Sequence, residues 1–95
     1  MTDLERILQA VCGEYGQQRH ALLSTTRGRK DAAWARQVAM YLCWRLSPQP
    51  CYTEVGAAFA RDRTTVRHAV GKVSAARDAT VRKLEKNLVR TAPAL

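Results

Sequence analysis

From Arg61 to Lys72 the sequence runs RDRTTVRHAVGK, setting four cations, two threonines and a histidine among valines spaced four apart. With Val66, Ala69, Val70 and Val73 turned inward at helical spacing, Arg63, Thr64 and Arg67 fall on the opposite face, and Thr65, His68 and Lys72 form a flank. A guanidinium donates in parallel to guanine O6 and N7, and a threonine methyl packs on a thymine methyl, so the outer face has the chemistry of base-edge recognition. Hydroxyl, imidazole and ammonium groups on the flank suit phosphate oxygens. Covalent chemistry is not indicated. His20 and His68 are far apart, neither has a carboxylate or thiol at a suitable helical spacing, and no pair of acids is set up for proton transfer. The expectation is a binding protein, not an enzyme, with no cofactor and no metal.

Such a face needs a second helix behind it and a fixed turn between the two. Residues 53–72 read as two short helices joined by a tight turn: Val55 and Phe59 lie four apart on the first, and Val66, Val70 and Val73 follow on the second. A glycine inside a helix costs about 1 kcal/mol against alanine, so Gly56 is expected where a side chain would hold crossing helices apart. Asp62 stands where an N-cap accepts from the first free backbone N–H groups. This is the layout of a helix-turn-helix whose second helix offers its N-terminal end to a major groove. A solvated basic face is the plainer reading of a charge run. Here the cap, the small residue and both valine seams agree with the recognition layout.

The flanking sequence supplies the rest of a helical bundle. Thr2-Asp-Leu-Glu5 has the form of a capping box, and Leu4, Ile7, Leu8, Val11 and Tyr15 make one stripe, which predicts a first helix ending between Gly13 and Gly16. A short second helix is expected from Arg19 to Leu23. Ser24 to Lys30, STTRGRK, carries three cations and no periodicity and predicts a basic loop. Asp31 then caps a long third helix with Trp34, Val38, Tyr41, Leu42 and the aliphatic stem of Arg45 on one side, stopped by Ser47-Pro-Gln-Pro50. After a break at Ala75 to Asp78, Val81, Leu84 and Leu88 give a last amphipathic helix. The expectation is one domain over 1–95, an all-α compact bundle of five to six helices.

Ninety-five residues suffice for one modest core without metal or disulfide. A net charge of +8 and a pI near 10.1 point to a polyanionic partner. Cys12, Cys43 and Cys51 form no CxxC pair and meet no histidine at ligand spacing. They read as reduced thiols, Cys12 and Cys43 as buried small hydrophobes and Cys51 as exposed in a turn. No signal peptide, transit peptide or run of about 18 apolar residues is present, so a cytoplasmic location without a membrane partner is expected. RNA is a poorer partner than DNA, because no aromatic platform for stacked bases appears.

Three ordered stretches, Ala35-Arg-Gln-Val-Ala-Met-Tyr-Leu42, Glu54-Val-Gly-Ala-Ala-Phe59 and Arg61-Asp-Arg-Thr-Thr-Val-Arg-His-Ala69, together resemble the C-terminal DNA-binding domain (domain IV) of the bacterial replication initiator DnaA. Weaker similarity runs from Leu4 through Ala21-Leu-Leu-Ser24. The resemblance implies a TrpR-like all-α fold that binds short double-stranded DNA sites of the DnaA-box type. It implies an arginine of the basic loop in the minor groove, for which Arg27 and Arg29 are available. It further implies phosphate contacts from Arg36 and Gln37, and base reading through Asp62 and Thr64 with Thr65 in support. Arg61, Arg63, Arg67, His68 and Lys72 complete the expected DNA-binding set.

The chain departs from that family pattern where Arg63 replaces a histidine, Arg67 an apolar residue and Tyr52-Thr53 a leucine-proline, and where the turn has lost a glycine, leaving Ala60. Arginine in place of histidine adds a fixed charge and a bidentate donor, so a changed base preference is expected. No G-x-x-x-x-G-K-[ST] phosphate loop is present, so ATP is not an expected ligand. With Met1 just ahead of the first helix, the chain reads as a standalone, nucleoid-associated regulator of replication initiation or transcription, competing with the initiator for sites, ahead of a divergent nucleoid or mobile-element protein with its own site or a fragment of a larger initiator. The alternative is a protein-interaction module whose helix-turn-helix face binds an acidic partner or dimerises, motivated by Trp44 near the edge of the third helix's apolar stripe. The sequence does not fix the oligomeric state.

Overall fold

The computed structural model describes residues 3–23, 30–47 and 51–90. The chain runs through α1 (Asp3–Tyr15), α2 (Arg19–Leu23), α3 (Lys30–Leu46), α4 (Tyr52–Phe59), α5 (Arg63–Ala76) and α6 (Ala79–Arg90). No strand occurs among the described residues, so the all-α expectation holds, with six helices. The Thr2 end of the capping box, the basic segment 24–29 and the Pro48–Pro50 stop lie outside the described residues.

Helix α3 is the hub, packing against each of the other five helices. Ala32, Ala35, Val38, Ala39, Met40, Tyr41 and Leu42 are all buried, so the helix is enclosed around most of its circumference and has no single apolar stripe. The apolar residues of α3 are therefore not confined to one side as its spacing suggests, and of those expected there Arg45 is exposed and Trp34 only half-buried. The helix also begins at Lys30, which puts Asp31 inside the first turn instead of ahead of it as a cap. By contrast, α1 is a surface helix whose expected stripe is seen, with Ile7, Leu8 and Val11 buried and Leu4 and Tyr15 at the margin. It stops where Gly16 takes a left-handed φ of 63°.

Two turns in the second half are set by backbone chemistry. After α4, Ala60 adopts φ 55°, ψ 42°, its N–H donates to Ala57 O at 3.4 Å, and the Arg61 N–H donates to Gly56 O at 2.8 Å. That pair of bonds is the Schellman arrangement, in which the left-handed residue usually lacks a Cβ. A Cβ on Gly56 would run into the Arg61 carbonyl oxygen, so the close approach expected of Gly56 is to the turn backbone. Asp62 then caps α5, its Oδ1 accepting from Thr65 N at 2.8 Å. That bond, the Thr65 side chain and the Thr64 N–H hold its carboxyl below the usual carboxylate range.

The last helix is tied down by polar contacts as well as by Val81, Leu84 and Leu88, which are buried as expected. Asp78 Oδ1 accepts from Val81 N at 2.9 Å, capping α6. Glu85, buried to 8 % exposure, accepts from the Tyr41 hydroxyl on α3, and Arg77 Nη2 donates to its second oxygen at 2.6 Å. Burial, and then the adjoining carboxylate, push the Tyr41 phenol above its ordinary pKa. The three cysteines are free and half-buried. Cys12 and Cys43 thus lie at the core's edge, and Cys51, expected to be exposed, is partly covered ahead of α4.

Two outcomes test these turns. Ala60→Gly removes the left-handed Cβ penalty and is expected to raise stability by about 0.5–1 kcal/mol in urea unfolding, whereas Gly56→Ala must displace the turn and is expected to cost about 1–3 kcal/mol. Because the Asp62 carboxyl is lowered in the folded state, its contribution is complete above its unfolded pKa and is lost as pH falls through the folded value. Asp62→Asn keeps a capping oxygen without a titrating group. Its unfolding midpoint is expected to fall less steeply than that of the wild type in acid.

Candidate nucleic-acid interface

The inward residues of α5 are those expected, Val66, Ala69, Val70 and Val73, all buried against α3 and α4. That leaves Arg63, Thr64, Thr65, Arg67, His68 and Lys72 exposed along the other side. The cap on Asp62 fixes where the first turn begins and turns its carboxylate back onto its own helix. No carboxylate occurs anywhere within α5, so this side is uniformly cationic or neutral.

Between the N-terminal halves of α3 and α5 runs an open groove. Its floor is Ala33, Met40 and Ala69, and its polar lining is Arg36 and Gln37 from α3, Arg61 from the turn, and Thr64, Thr65 and His68 from α5. Six residues of the expected DNA-binding set, from Arg36 to His68, therefore converge from two separate stretches of the sequence. Thr64 joins the flank residues here, so it stands on the seam between the groove and the outer face. Arg63, Arg67 and Lys72 lie outside the groove lining, and Arg27 and Arg29 lie outside the described residues.

Arg36 differs from its neighbours. It is only 7 % exposed, and its Nε and Nη2 donate to Leu22 O at 2.8 Å and Ala21 O at 2.9 Å. Those carbonyls end α2, a five-residue helix too short to persist alone. The guanidinium therefore fastens α2 to α3 while keeping its charge at the groove lining. Burial, and secondly the nearby Arg61 charge, lower its pKa, so two like charges are held close at one end of the groove. The Gln37 Oε1 is buried there without a hydrogen-bond partner among the described residues. Nothing in the sequence pattern distinguished Arg36 from a surface arginine, apart from its position between Ala35 and Val38.

The Trp44 indole is not an exposed docking feature. It is half-buried, stacks on Tyr52 with ring centroids 6.0 Å apart and planes 7° from parallel, and lies 6.5 Å from the Tyr41 ring. It closes the core where α3 meets α4. Among the described residues no group of His, Cys, Asp and Glu could hold a metal ion, and no helix is long and apolar enough to cross a membrane.

Residues 4–73 match the family model described as bacterial dnaA protein helix-turn-helix. The chain is 44 % identical over 75 residues to the chromosomal replication initiator protein DnaA of Sphingopyxis alaskensis, an alignment covering 78 % of this chain and 16 % of that protein. The DnaA of Bartonella quintana is 44 % identical over 71 residues, 74 % of this chain and 14 % of its own length, and that of Rhizobium meliloti 41 % identical over the same shares. The chain thus spans about a sixth of the length of these relatives. The all-helical architecture agrees with that match, and the family's helix-turn-helix is a DNA-binding domain. The chain belongs to the bacterial DnaA helix-turn-helix family.

Proposed function

We propose that this protein binds double-stranded DNA in a sequence-specific way, with the outer face of α5 in the major groove. The phosphates on one side of that groove meet Arg61, Thr65, His68, Gln37 and Lys72, and the field of Arg36 adds to theirs. Asp62 holds the first turn in register and Thr64 reaches a base edge. Arg27 and Arg29 serve the adjacent minor groove. The sites are DnaA boxes or relatives of them, and occupancy regulates replication initiation or transcription there, in competition with an initiator that reads the same sequence.

One observation carries this reading: cations, hydroxyls and an imidazole from α3, the turn and α5 converge on one solvent-open groove beside a carboxylate-free helix face. Phosphate oxygens supply the negative charge such a surface lacks, and the α5 N-terminus adds its own partial positive charge. An acidic protein partner matches the charge equally. The family match and the groove-ready α5 N-terminus favour the duplex.

A labelled duplex library tests the reading. At low salt the protein is expected to shift duplexes, to enrich a definite motif from random sequence, and to lose affinity steeply as salt rises. A library that returns no motif would refute site-specific reading. Lys72→Ala is expected to weaken all duplexes alike and to reduce the salt slope by about 1, as one lost phosphate contact does. Thr64→Ala is expected to relax preference at one or two base pairs of the selected motif, at about 1–3 kcal/mol per lost base contact, measured by competition between matched and mismatched duplexes.

A further inference from the structure

We infer that Arg63 and Arg67 are a paired guanine reader, so that the preferred site carries two G·C pairs no more than two base-pair steps apart. The inference rests on the proposed seating of α5 in the major groove and adds what that helix selects.

Arg63 and Arg67 stand four residues apart on α5, beginning at its first residue, and both are exposed. Neither has an ion-pair or hydrogen-bond partner among the described residues. The nearest carboxylate in sequence, Asp62, is engaged by Thr65 N at 2.8 Å. No hydrogen bond or ion pair among the described residues gives this exposed arginine pair a structural task. The pair contributes nothing to the core, which is closed by Val66, Ala69, Val70 and Val73. The groove-lining side of α5 is formed by Thr64, Thr65 and His68, so phosphate chemistry has its own residues and the two arginines stand apart from it.

Spacing then decides the register. One helical turn separates the two guanidinium stems by about 6 Å along the axis, and stacked base pairs are about 3.4 Å apart. Two arginines aimed at base edges from one turn of helix therefore meet neighbouring or next-but-one base pairs. Among the four bases only guanine presents two acceptors side by side in the major groove, O6 and N7, matching the guanidinium fork. Lysine would supply charge at these places without that match.

The test removes one acceptor atom at a time. After selection of the preferred duplex, each guanine in turn is replaced by 7-deazaguanine, which retains Watson–Crick pairing and lacks N7. Wild-type protein is expected to lose about tenfold in affinity at two guanines within two steps of each other. Arg63→Ala is expected to become insensitive to the deaza substitution at one of them and Arg67→Ala at the other, while both variants keep the wild-type thermal unfolding profile. Wild-type indifference to every deaza substitution would overturn the inference, as would variants that retain full wild-type sensitivity. A uniform weakening on all duplexes with a shallower salt slope would overturn it too, by making these arginines phosphate contacts. Each of these results leaves the proposed site-specific binding standing, whereas failure of the library to yield any motif removes both.

Discussion

The contact on which the interface depends is the one between Gly56 and the Arg61 carbonyl. Because no Cβ intervenes, the chain folds back on α4 closely enough for Arg61 N–H to reach Gly56 O at 2.8 Å. Ala60 is forced into the left-handed region to permit it. The departure direction of the chain from α4 is thereby set within a few residues, and Asp62 starts α5 at once. Everything offered to solvent by α5 inherits its orientation from this turn. A backbone contact of this kind tolerates no rotamer adjustment, which is why a side chain at 56 is excluded whereas one at 60 is endured.

Much of this was legible in the sequence because the elements concerned are surface helices with one buried side. The stripes of α1, α5 and α6 and the cap at Asp62 follow from period and residue type alone. Helix α3 was harder for the opposite reason: being enclosed by five neighbours, it shows apolar residues in every direction, and a wheel assigns them to one side only by choice. Polar residues that bond across the fold were illegible. Glu85 reads as an exposed helix residue until Tyr41 and Arg77 are seen to close on it. Arg36 reads as a surface cation until α2 is seen to end on it. Long-range hydrogen bonds carry no periodic trace, since each partner is chosen by the packing of another element.

Arg36 also shows how one side chain serves stability and electrostatics together. Its hydrogen bonds satisfy carbonyls that the short α2 leaves open, and the residual positive charge has no carboxylate in the groove lining to neutralise it. Arg61 nearby adds to the same field. Crowded like charges are unfavourable to one another, and an anion placed between them would offset that repulsion.

The stretch that identifies the family stops at residue 73, yet the cohesive body of the molecule continues. Past that point lie Val81, Leu84 and Leu88, which seal α1 and α3, and the carboxylate that receives the Tyr41 hydroxyl. Arg6 near the start of α1 donates to Leu88 O at 2.8 Å, stitching one end of the molecule to the other. A polypeptide trimmed to the recognisable motif would uncover apolar area on its central helix and take away the carboxylate partner of the Tyr41 hydroxyl. The family signature and the packed helical body are different lengths of this chain.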